Sequence, residues 1–66
     1  MAIHKVIEVL SQSKKSWEDA TQQAIKDASK TVKNIRAVDI EHMEAVVKNN
    51  KIVQYRINAK ISFEIT

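Results

Sequence analysis

Between Lys51 and Ile65 the chain alternates without a break. Val53, Tyr55, Ile57, Ala59, Ile61, Phe63 and Ile65 take the odd positions, and Gln54, Arg56, Asn58, Lys60, Ser62 and Glu64 the even ones. Only a β-strand sends successive side chains to opposite sides, so this pattern predicts a strand with one apolar and one polar face. At about 3.3 Å per residue, Lys51 to Ile65 would span roughly 50 Å. A compact chain of this length has no need of such a strand, which must bend or reach beyond its own subunit.

The remaining elements follow from changes of period. Ile3 to Leu10 is apolar and β-branched, interrupted by Lys5 and Glu8, and reads as a first strand. Ser11 to Lys15 is a polar connector. Ser16 has the character of a helix N-cap, with Glu18 and Asp19 placing negative charge at the positive end of the helix dipole. Trp17, Ala20, Ala24, Ala28, Val32 and Ile35 recur at spacings of three and four and form one apolar stripe, widened by Ile25. The three alanines in its middle allow the helix to approach a sheet closely. Arg36 to Val47 reads as a second strand whose phase changes: Val38 and Ile40 are apolar on even positions, Met43, Ala45 and Val47 on odd ones. A one-residue slip exchanges the two faces, so a bulge or twist is predicted near His42. Lys48-Asn49-Asn50-Lys51 is then a tight hairpin in which asparagines supply the left-handed backbone that glycine usually supplies.

The order is β-α-β-β. The hairpin makes the last two strands antiparallel neighbours, and the helix returns the chain so that the first two strands run the same way. The last strand then sits centrally, giving an α+β fold: one helix packed on a three-stranded antiparallel sheet of order 1-3-2. Its polar face has no second layer within the subunit.

Composition narrows the possibilities. Sixty-six residues make a single domain, 1–66, with a thin core. Cysteine is absent and the two histidines are far apart, which excludes disulfides and argues against a structural zinc site, so oligomerisation is the remaining way to stabilise so small a unit. Glycine and proline are also absent, which removes phosphate-cradling loops. Without a cysteine nucleophile, a Gly-x-Ser-x-Gly elbow or a Ser/Asp constellation around either histidine, no enzyme is expected. The net charge of +3 is mild and interspersed, and leaves a small basic nucleic-acid-binding domain as one alternative. No run approaches the length of a membrane span, and the expected location is cytoplasmic.

Three stretches together resemble a known family. Ser13-Lys14-Lys15-Ser16-Trp17-Glu18-Asp19-Ala20, the helix end Lys33-Asn34-Ile35-Arg36, and Ile52 to Phe63 with its Tyr55-Arg56-Ile57-Asn58-Ala59-Lys60 core are similar to dodecins over essentially the whole chain. The resemblance implies a hollow homododecamer, sheets towards the lumen and helices outside, that binds, stores or buffers a small ligand. In many members this is a flavin, so FMN, riboflavin or FAD is the implied cofactor. Flavin-binding dodecins stack the isoalloxazine ring on a Trp just after the helix-to-strand corner, where this chain has Ala37. The Gln that bonds the ring edge falls on Arg56, and an Arg of the second strand falls on Glu44. The implied site is therefore degraded: Trp17, Tyr55 and Phe63 all read as core, and no other aromatic replaces the missing ring. The glycines customary in the family near Ser11 to Ser13 and in the hairpin are missing as well.

A second chemistry is open. Asp39 and Glu41 alternate onto one face of the second strand, and hairpin pairing would set Asp39 near Lys60 and Glu41 near Asn58. They form either cross-strand ion pairs or, repeated by symmetry, a calcium or magnesium site on a shell that needs no flavin. His4 and His42 read as surface or interface residues.

Overall fold

The computed structural model describes residues 3–65. Its elements are β1 His4–Ser13, α1 Trp17–Ala28, β2 Ile35–Lys48 and β3 Lys51–Glu64. The sheet order is β1-β3-β2, with both outer strands antiparallel to the central one. The molecule is 51 Å long, 20 Å wide and 13 Å thick, its length set by the β2–β3 hairpin. Among the described residues no helix is long and apolar enough to cross a membrane.

β1 runs three residues past its predicted end. Ser11, Gln12 and Ser13 pair with Ile57, Arg56 and Tyr55, so the polar connector is strand and needs no glycine turn. The overlong central strand offers main-chain partners there, and pairing outweighs the polar composition.

Ser16 caps α1 as predicted, its hydroxyl accepting from the Asp19 amide at 2.9 Å. The helix is shorter than the apolar stripe. It ends at Ala28, where the Ser29 hydroxyl donates to the Lys26 carbonyl at 2.7 Å, and the chain turns through Asn34 at φ 62°. Val32 and Ile35 are in phase with the stripe but leave it, because Ile35 is taken up by pairing with Phe63 in the sheet. The packed part of the stripe is Ala20 and Ala24, both buried. Ala20, Ile57 and Ala59 form one cluster with almost no exposed surface, with Val9, Trp17 and Val38 packed against it, and Ile61 is likewise fully buried. Fully burying an isoleucine contributes about 1.5–3 kcal/mol, and here the two of them carry much of the core. The Trp17 ring meets Tyr55 edge-on at 4.9 Å.

The phase change in β2 is a bulge at Glu41: Ile40 pairs with Ala59 and His42 with Asn58, leaving Glu41 as the extra residue. Val38 and Met43 consequently both lie opposite buried residues, Ile61 and Ile57. Further irregularities fall at Arg36 and, on β3, at Val53. At the hairpin Asn49 and Asn50 take φ 52° and 63°, the left-handed pair that a two-residue turn requires.

Candidate ligand site on the open sheet face

The side of the sheet away from α1 is built of rows of cross-strand neighbours. Residues two apart on β3 face the same way, so Arg56, Asn58, Lys60, Ser62 and Glu64 define this open face once Ile57, Ala59 and Ile61 are committed to the helix.

The first row is Gln12, Arg56 and Glu44. Arg56 donates from Nε to Gln12 Oε1 at 3.1 Å and from Nη1 to Glu44 Oε1 at 3.3 Å. Arg56 and Glu44, two positions at which the resemblance implies flavin contacts, thus form an ion pair, and Gln12 joins them. The second row is Leu10, Asn58 and His42. Leu10 is 82% exposed, an apolar side chain standing on a polar face. Asn58 Oδ1 is closed to solvent and, among the described residues, has no hydrogen-bond donor. An acceptor in that state costs about 1–3 kcal/mol. The two rows line a cleft of about 690 Å³, within the ordinary size of a small-molecule site.

The third row is Glu8, Lys60 and Asp39. Asp39 faces Lys60 as expected. Glu41 does not approach Asn58: the bulge releases it from the ladder and its carboxylate lies 3.2 Å from Lys60 Nζ, while His42 takes the place beside Asn58. The hydrogen bond with Glu41 holds the Lys60 ammonium above the ordinary lysine range, with the Glu41 charge adding to it and Glu8 and Asp39 reinforcing it. No three metal-ligating side chains gather anywhere among the described residues. Within one chain Asp39 and Glu41 are therefore spent around a lysine, and two carboxylates fall short of the six or more oxygens that calcium takes.

Ala37 lies in a fourth row with Val6 and Ser62, whose hydroxyl donates to the Ala37 carbonyl at 3.4 Å. Six residues of β3 separate Ser62 from Arg56, about 20 Å along the strand, so one chain does not bring Ala37 together with Glu44 and Arg56. The methyl of Ala37 offers no face to an isoalloxazine ring. The residues present do not fit the stacked flavin mode.

Gln12, Leu10 and Asn58 were not legible as site residues. A β1 ending at Leu10 leaves Gln12 without a register, and an orphaned oxygen is a property of packing, not of sequence. The charge of the face was also hidden. Glu8, Asp39, Glu41, Glu44 and Glu64 stand on it against Arg36, Arg56 and Lys60, so the sheet side is acidic although the chain is basic. The positive excess lies on Lys5, on the loops flanking the helix at Lys14, Lys15, Lys30 and Lys33, and at the hairpin tip at Lys48 and Lys51, while the helix itself sets Glu18, Asp19 and Asp27 against Lys26.

The dodecin family model matches residues 3–66. The curated calcium dodecin of Mycobacterium tuberculosis is 31% identical over 65 residues, covering 98% of this chain and 92% of that protein. The crystal structure of that calcium dodecin, described as calcium chelating with a novel calcium-binding site, superposes with a TM-score of 0.82 at 30% identity, over 97% of this chain and 91% of the other. The dodecin of Streptomyces coelicolor superposes with a TM-score of 0.91 over 98% of this chain and 93% of that chain, and at 17% identity shows the shared fold. With the family model covering all of the described chain and the fold reproduced strand for strand, the protein belongs to the dodecin family.

Proposed function

We propose that twelve copies of this chain close into a hollow shell, open sheet faces inward, that binds, stores or buffers a small ligand on those faces. The observation that carries the reading is the uncovered hairpin. Val47, Ile52 and Val53 are large apolar residues exposed on the end of the β2–β3 hairpin, past the Glu44–Arg56 row where Trp17 ties α1 to β2. A monomer would leave that arm in water, whereas neighbouring copies in a closed assembly would cover it. The protein acts by holding its ligand, with no reaction assigned to it.

Flavin is the ligand that the family suggests, and FMN, riboflavin or FAD would be held without the usual aromatic stack because Ala37, Glu44 and Arg56 replace the customary residues. A cation is the second reading. It is favoured by the similarity to a calcium dodecin and by Asp39 and Glu41, which would have to exchange Lys60 for the ion or gather further oxygens across a symmetry axis. Titration decides between them. Riboflavin and FMN fluorescence should be quenched by the assembled protein at higher concentrations than a Trp-bearing dodecin requires, and calorimetry should show heat with calcium if the second reading holds. Unchanged flavin fluorescence removes flavin; unchanged fluorescence together with no calcium heat overturns the ligand-binding reading.

A further inference from the structure

β1 pairs with β3 on one side only, and over His4 to Ser13 its register is unbroken. The other edge of the sheet, on β2, is interrupted at Arg36 and at the Glu41 bulge, devices that keep an edge from pairing. The two edges therefore differ in kind. The Ile65 amide donates to the Ile3 carbonyl at 2.9 Å, which fixes the direction of the main-chain groups along β1. Its odd residues turn theirs towards β3, and its even ones, His4, Val6, Glu8, Leu10 and Gln12, turn theirs outward. A straight row of outward donors and acceptors is a template for a further strand. Ile3 and Val6 at this edge are apolar and 57% and 56% exposed.

We infer that the strand added there is β1 of a second copy, antiparallel about a two-fold axis at Val6, so that two three-stranded sheets join into one. Charge selects the register. With Val6 opposite Val6 of the second copy, His4 of each chain stands opposite Glu8 of the other, and the imidazole N–H donates to the carboxylate. Within its own chain Glu8 lies opposite Lys60, and His4 opposite Glu64, which Arg36 holds at 3.2 Å. The row Asp39, Lys60, Glu8 of one chain then runs on into His4, Glu64 and Arg36 of the other, with acidic and basic groups alternating throughout. On the helix side Ile3 comes to lie opposite Val9 of the second copy, which covers the exposed isoleucine. Sliding one strand by two residues sets Val6 opposite His4 or Glu8 and loses both polar pairs. A further slide sets Glu8 opposite Glu8, which is repulsive. This pairing deepens the shell proposed above, since it names one of the contacts through which the copies would close it.

The chain has no cysteine, so introduced thiols report the contact cleanly. Opposed residues of a hydrogen-bonded antiparallel pair have Cα atoms about 5.5 Å apart, within the range that a disulfide bridges. Val6→Cys, oxidised with glutathione disulfide in the native particle, should shift most of the protein to a two-chain band on a denaturing, non-reducing gel. Leu10→Cys, on the same edge and more exposed, should stay a single chain, because this register sets the two Leu10 positions roughly 26 Å apart along the strands. His4→Cys and Glu8→Cys should each fail to cross-link alone and should cross-link when the two chains are coexpressed; this pair decides if Val6→Cys does not assemble. Light scattering before oxidation reads the shell separately. A particle of about 90 kDa without these cross-links, or with Leu10→Cys linked in their place, overturns the pairing and leaves the shell standing. Cross-links in a native particle of only two chains support the pairing and contradict the shell. A species near 7.5 kDa without cross-links overturns both.

Discussion

The indole nitrogen of Trp17 donates to the main-chain carbonyl of Glu44 at 2.9 Å, joining the first residue of α1 to the middle of β2 across 27 positions of sequence. The same Glu44 turns its carboxylate to the other side of the sheet, where it holds Arg56. One strand residue thus ties the helix to the sheet through its backbone and shapes the cleft through its side chain.

That bond gives the first prediction. Trp17→Phe keeps an aromatic ring against Tyr55 but removes the donor, and should cost about 1 kcal/mol, the ordinary net worth of a neutral hydrogen bond. Thermal melts followed by circular dichroism at fixed protein concentration check it. An unchanged midpoint would mean that the Trp17 contribution is packing alone.

Ala20 and Ala59 meet with no exposed surface on either. Ala20→Leu should force helix and sheet apart and destabilise by about 1–3 kcal/mol, although leucine is nearly as good a helix former as alanine. A melting temperature equal to wild type would show that the helix can shift to make room.

Lys60 is held in its charged form by Glu41. Its folded-state pKa is raised, so the stability it contributes is fully present below the ordinary lysine value of 10.5 and fades as the pH rises through the higher folded value. Glu41→Gln should lower the Lys60 pKa towards that ordinary value, as read by an NMR titration of its side chain. A Lys60 pKa unmoved by the substitution would assign the shift to Glu8 and Asp39.

The family resemblance implies a stacking Trp in flavin-binding members at the position of Ala37. Ala37→Trp should strengthen riboflavin binding about 2- to 10-fold, from a stacking gain on the order of 0.5–1.5 kcal/mol beyond the area buried. Fluorescence titration of wild type and variant in parallel measures it. Equal affinities would place the flavin, if one binds, away from the family position.

The sheet was largely legible because β3 alternates so regularly: its faces, its central place and the bulge that reconciles Ile40 with Met43 all follow from the period of apolar residues. Asn49 and Asn50 announced the hairpin because few other residues accept positive φ. The helix end was misread, since Val32 and Ile35 keep the helical phase by coincidence while Ser29 and Asn34 turn the chain out of it. The pairing of Glu41 with Asn58 failed for a related reason. A period locates a bulge only to within a residue or two, and the extra residue turned out to be Glu41 itself. Gln12 and the acidic character of the open face depend on register across three strands, which no single stretch of sequence displays.

Further copies of the chain should cover the exposed hairpin arm. The native mass by multi-angle light scattering tests it most directly: twelve chains of 7.5 kDa give a particle of about 90 kDa. That mass, retained on dilution, is the predicted result, and a species near 7.5 kDa would contradict it.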